Sequence, residues 1–135
     1  MVLKKKRGDF DVLIDRGLEV PMRDGTILRA DTWRPDAQGT FPVLIERTPY
    51  DKRGSSESNL GAGDFYASHG YVVVIQDVRG RFESEGEFYP FRDDGDGENK
   101  DGYDTIQWAA EQPWSNGKIG TIGGSYSGAT QYRML

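Results

Sequence analysis

Lys118-Ile119-Gly120-Thr121-Ile122-Gly123-Gly124-Ser125-Tyr126-Ser127-Gly128-Ala129 is the stretch that decides the fold. A short apolar run ends in two glycines and a serine, and small residues continue beyond. That order fits a nucleophile elbow, in which a strand ends, the chain turns sharply and a helix begins at once. The turn holds its central residue in a strained backbone geometry, so bulky neighbours would collide and glycines are needed around it. The Ser125 hydroxyl then projects above the sheet, and the following backbone N–H groups point toward a developing oxyanion. The match is Gly-x-Ser-Tyr-x-Gly over 123–128, with Ser127 standing where the strict five-residue motif has glycine. Two other readings compete: a glycine-rich turn with an incidental serine, and a phosphate-cradling loop. The second lacks both the Gly-x-Gly-x-x-Gly spacing and the Gly-Lys-Ser/Thr ending.

Working outward from the elbow, Lys118 to Ile122 reads as the last strand and Tyr126 onward as the final helix. Val12 to Met22 and Thr26 to Trp33 read as strands joined at Arg23-Asp24-Gly25, a hairpin signal. Phe41 to Glu46 is a short buried strand. Ser58 or Asn59 caps a helix running to about Ser68, ended by His69-Gly70. Tyr71 to Gln76 is an almost continuous β-branched run, the pattern of a strand covered on both faces. Gly102 to Gln112 is a helix stopped by Pro113. A hairpin followed by alternating strands and helices implies an α/β fold whose sheet is largely parallel with right-handed crossovers.

The totals limit the function classes. The 135 residues suit one domain, with 29% charged and 36% apolar residues, which is a globular composition. A net charge of −5 argues against nucleic acid as a partner. Lys4-Lys5-Lys6-Arg7 reads as part of a flexible basic tail over residues 1–10, with the domain spanning 11–135. With no cysteine, disulfides and thiol catalysis are excluded. The longest apolar run, Tyr71 to Ile75, is far short of a membrane span. No secretory signal is visible, so a cytoplasmic location is the default expectation.

Five ordered motifs resemble one family. The elbow string Gly117 to Gly128 is similar to that of the CocE/NonD (cocaine-esterase-like) and X-prolyl dipeptidyl-peptidase-like serine hydrolases. So are Asp77-Val78-Arg79-Gly80-Arg81 with Ser84-Glu85-Gly86-Glu87-Phe88, and Arg47-Thr48-Pro49-Tyr50-Asp51-Lys52. Met22-Arg23-Asp24-Gly25 and Tyr103-Asp104-Thr105-Ile106 with Gln112-Pro113-Trp114-Ser115 complete the set. The resemblance implies the N-terminal portion of an α/β-hydrolase catalytic domain, acting on small esters, amides or short peptides through an acyl-enzyme. It implies Ser125 as nucleophile, with the backbone N–H of Tyr126 and the phenol of Tyr50 as oxyanion donors. It implies no cofactor and no metal.

The same family order places an acid and then a histidine after the serine, yet ten residues follow Ser125 and include neither. The sole histidine, His69, reads as a helix terminator. The chain is therefore expected to be incomplete after the elbow, with doubtful activity alone and an open sheet edge inviting self-association. The alternatives are a non-catalytic binding piece and, behind it, a nucleotide-binding α/β domain. The acidic run Asp93 to Asp101 fails the calcium-loop template and reads as a solvated loop leading to a helix N-terminus. Arg79 and Arg81 are expected to form ion pairs in their loop.

Overall fold

The alternation that marks the hairpin in the sequence produces paired strands. In the computed structural model, which describes the backbone of residues 2–4 and residues 8–54 and 61–134 in full, β2 (Val12–Pro21) runs antiparallel to β3 (Ile27–Pro35). β4 (Phe41–Thr48), α1 (Ala62–Ser68) and β5 (Val72–Asp77) follow. A π-helical turn (Arg92–Asp96), α2 (Asp101–Ala110), β6 (Ser115–Thr121) and α3 (Ser125–Tyr132) complete the chain. The capping expectation at Ser58 and Asn59 lies outside the described residues.

With β1 (Val2–Lys4), the sheet has six strands among the described residues, in the order β1-β2-β3-β5-β4-β6. β4 pairs in parallel with both β5 and β6, and the other pairings are antiparallel. The sheet is thus a mixed one, an antiparallel meander joined to a parallel block. Val2–Lys4 pairs with β2, and the Phe10 N–H donates to the Ser68 carbonyl at 3.1 Å. Apolar contact explains the docking: the Phe10 ring meets Phe41 edge-on at 5.8 Å. Residues 5–7 lie outside the described residues.

β5 is buried along its whole length, as its β-branched run predicts, and its side chains alternate between two cores. Val72 and Val74 join Val43, Ile45, Leu28 and Ala109 on the side covered by α2. Val73 and Ile75 join Ile14, Trp33 and Ala67 on the side covered by α1. The chain crosses from β4 to β5 in one direction and then to β6 on the far flank of β4. Such a reversal opens a crevice at the carboxyl ends of the strands.

The acidic stretch corrects its sequence reading. Asp93, Asp94 and Asp101 are buried, not solvated, because cations meet them, those of Asp94 and Asp101 coming from distant segments. Asp94 pairs with Arg47, Asp93 with Arg92, and Asp101 with Arg79. Arg79 also clamps Asp24 at 2.7 Å in the hairpin turn, lowering that carboxyl to about 2. Lys52, fully buried, lies 2.7 Å from Glu83, 3.3 Å from Asp77 and 3.8 Å from Asp31. Burial alone would lower its pKa, but the bond to Glu83 and the charges of Asp31 and Asp77 raise it, so the ammonium persists.

Candidate active site

β6 ends at Thr121, and the chain then turns through Gly123 at φ 126° and an extended Gly124 into α3. Gly123 is required on two counts. Its φ is left-handed, and a Cβ there would lie 2.7 Å from the Ser127 Cβ. Ser125 opens the helix at φ 56°, a conformation that costs a side-chain-bearing residue about 1–2 kcal/mol. Its hydroxyl is exposed. Tyr126 occupies the first turn of α3, where a backbone N–H has no carbonyl four residues back to bond.

Tyr50 comes from the neighbouring strand. β4 and β6 run in parallel with Ile45 opposite Thr121, so both chains leave the sheet at the same edge. The Tyr50 N–H donates to Thr48 Oγ1 at 3.0 Å, turning the chain just after β4. Its phenol then lies 3.4 Å from Ser125 Oγ, and its ring meets that of Tyr126 edge-on at 6.4 Å. Ser125, Tyr50 and Tyr126, the three residues singled out in the sequence, therefore sit together. Tyr50 remains 57% exposed, open to an incoming molecule.

His69 is elsewhere. It caps α1 just before β5, whereas Ser125 follows β6. The strands are parallel, so the two residues stand at opposite ends of the sheet, roughly 20 Å apart by the rise of six strand residues. The imidazole Nδ1 is bonded to the Phe65 carbonyl at 2.6 Å, consistent with a role in ending the helix. Among the described residues no group of three or more acids or histidines is placed to hold a metal ion.

Several residues around the site were not picked out from the sequence. Glu46 is buried beneath the elbow and bonded to Ser127, and burial raises its pKa above the ordinary glutamate range. Ser127 is itself buried, which explains a serine where the strict motif has glycine: its hydroxyl is spent on Glu46. On the opposite face of β4, Arg47 donates to Gln76 at 2.7 Å and to Asp94. The available signal was two adjacent charges inside an apolar strand, which must find partners if the strand is buried.

Residues 24–135 match the X-Pro dipeptidyl-peptidase (S15 family) description. The chain belongs to this hydrolase family. It is 47% identical over 127 residues to the cocaine esterase of Rhodococcus sp. (strain MB1 Bresler), covering 93% of this chain and 21% of that one. Among solved structures, an α-amino acid ester hydrolase superposes with a TM-score of 0.76 at 32% identity, covering 96% of this chain and 24% of that one. A CocE/NonD family hydrolase from Staphylococcus aureus superposes with a TM-score of 0.77 at 33% identity, covering 92% and 25%. The S15 chain described here thus has the α/β-hydrolase fold of these esterases and peptidases and spans about a fifth to a quarter of their length.

Proposed function

We propose that the protein carrying this chain hydrolyses esters or amides through a serine acyl-enzyme. Ser125 Oγ attacks the carbonyl carbon, the C=O π pair moves to oxygen, and the serine proton passes to a general base. His69 cannot take that role from the opposite end of the sheet. The tetrahedral oxyanion is met by the Tyr50 O–H and the Tyr126 N–H, and collapse expels the alcohol or amine with a proton. Water then attacks the acyl-serine and releases the acid. The observation that carries this reading is the 3.4 Å approach of the Tyr50 phenol to Ser125 Oγ across 75 residues, at a serine with φ 56°.

The names of the relatives, an esterase and an amino acid ester hydrolase, fit acyl transfer from a carbonyl. The test is labelling of the full-length protein with a fluorophosphonate. Label is expected on Ser125, none in Ser125→Ala, and a rate about 100-fold lower in Tyr50→Phe, the cost of one oxyanion donor. An intact, folded protein that takes no label would refute the reading.

A further inference from the structure

Tyr126 does more than lend its backbone. Its side chain reaches into the 91–96 turn, where three contacts hold it. The phenol oxygen accepts the Phe91 N–H at 2.9 Å, and the ring stacks on Phe91 with centroids 4.1 Å apart and planes 16° apart. The phenol also donates to Asp94 Oδ2 at 3.5 Å. Asp94 in turn accepts from Arg47 Nη1, and Arg47 reaches Gln76, whose amide oxygen also accepts from Thr105 Oγ1 at 3.0 Å. The chain of bonds therefore runs from the elbow helix through β4 and β5 into α2.

We propose that Asp94 and Phe91, anchored by Arg47, are positioning residues that fix the Tyr126 side chain and so aim its N–H at the oxyanion. The inference rests on the reading of Ser125 and Tyr126 given above. Two features otherwise lack a purpose. Phe91 takes φ 65°, a costly conformation for an aromatic residue, and in doing so turns its N–H onto the Tyr126 phenol. The segment after it adopts a π-helical turn, a rare form often found at functional sites, and this turn delivers Asp94 to Arg47. Burial raises the Tyr126 pKa, and the Asp94 charge adds to this against the opposing Phe91 N–H, so the phenol keeps the proton it donates. Because the Tyr126 ring also touches Tyr50, the brace supports the residues of both proposed donors. The arrangement matters because small misplacements of a donor cost rate and leave binding intact.

The test uses the full-length protein and p-nitrophenyl acetate. Tyr126→Phe keeps the ring and the backbone N–H and removes only the anchoring hydroxyl. Asp94→Asn is chosen over alanine, which would strand a buried guanidinium. Each variant is expected to lower kcat about five- to tenfold with KM changed less than twofold, the size of effect a misaimed donor produces. The double variant should lose no more than the more impaired single one, because both act on the shared Tyr126–Asp94 contact. Wild-type kcat in Tyr126→Phe, losses confined to KM, or losses that multiply in the double variant would overturn the brace. Ser125→Ala separates the two readings: if it stays active the nucleophile falls, whereas if it is inactive and Tyr126→Phe is unimpaired only the brace falls.

Discussion

The parallel strands β4, β5 and β6 are entered and left by turns of different construction. On the entry side, positive φ falls on glycine: Gly39 at 108° and Gly70 at 97° in the turns, and Gly117 at 82° just inside β6. On the exit side and in the loops packed there, glycines carry it too (Gly80 at 73°, Gly86 at 94°, Gly123 at 126°), but so do four described residues with side chains: Asp51 at 77°, Phe82 at 49°, Phe91 at 65° and Ser125 at 56°. Glycine meets the backbone requirement without steric cost, whereas a Cβ there costs about 1–2 kcal/mol. Strain is kept where a side chain is used. Ser125 presents its hydroxyl, Phe91 stacks on Tyr126, and Phe82 lies under the Arg81 guanidinium at 5.1 Å. Exit loops of such sheets are where ligands bind, so the strain lies with the proposed chemistry.

If the exit side is held by its buried charges, the largest effect should come from Lys52→Met. It takes the cation from Asp77 and leaves Asp31 with Arg16 alone, both carboxylates being fully buried, and should cost about 3–5 kcal/mol in a denaturant titration. A loss below 1 kcal/mol would mean that these carboxylates are stabilised without the ammonium. Next comes Gly123→Ala, where a left-handed φ coincides with a 2.7 Å clash, expected to cost about 2–4 kcal/mol. Its counterpart on the entry side, Gly117→Ala, meets no atom within 4 Å and should cost only about 1 kcal/mol. Equal losses at the two glycines would erase the contrast between the turns. Ser125→Gly should raise stability by about 0.5–1 kcal/mol while abolishing fluorophosphonate labelling, since it relieves strain and removes the hydroxyl.

The smallest effects are in pH dependence, and two acids should differ in sign. Asp24, held near 2 by Arg79, stabilises the fold above the ordinary carboxylate range and loses that contribution as pH falls toward 2. Asp24→Asn should therefore flatten the drop in denaturation midpoint between pH 5 and 2. Glu46 is displaced upward by burial, so the native state holds its proton more tightly than the unfolded chain does. Stability attributable to it falls as pH rises through its raised pKa, and Glu46→Gln should gain relative to wild type as pH increases. A gain that shrinks with pH would show that the carboxylate is the form the elbow prefers.

Periodicity made most of the sheet legible. The β-branched run of β5 and the Asp-Gly turn of the hairpin are local signals, and they hold to within a residue or two. β4 shows where such signals stop: the sequence reading ends it at Glu46, yet the strand runs to Thr48. Glu46 and Arg47 look like residues leaving a sheet, because their partners Ser127 and Asp94 lie far along the chain. The acidic run misled for the same reason, since its arginine partners come from β4, β5's exit loop and the end of α3. Ser125 and the N–H after it are legible because a sharp turn demands particular residues nearby in sequence, whereas Tyr50 follows only from the family resemblance. The brace behind them depends on charges that meet only in three dimensions.

The encapsulated Lys52 also offers a built-in gauge of conformational opening. Its ammonium has no exposed surface and is gripped by three anions, so amine-acylating reagents cannot reach it in the closed fold, whereas the exposed Lys118 reacts freely. The ratio of modification at the two lysines, read by peptide mass mapping, then reports how often the exit loops breathe.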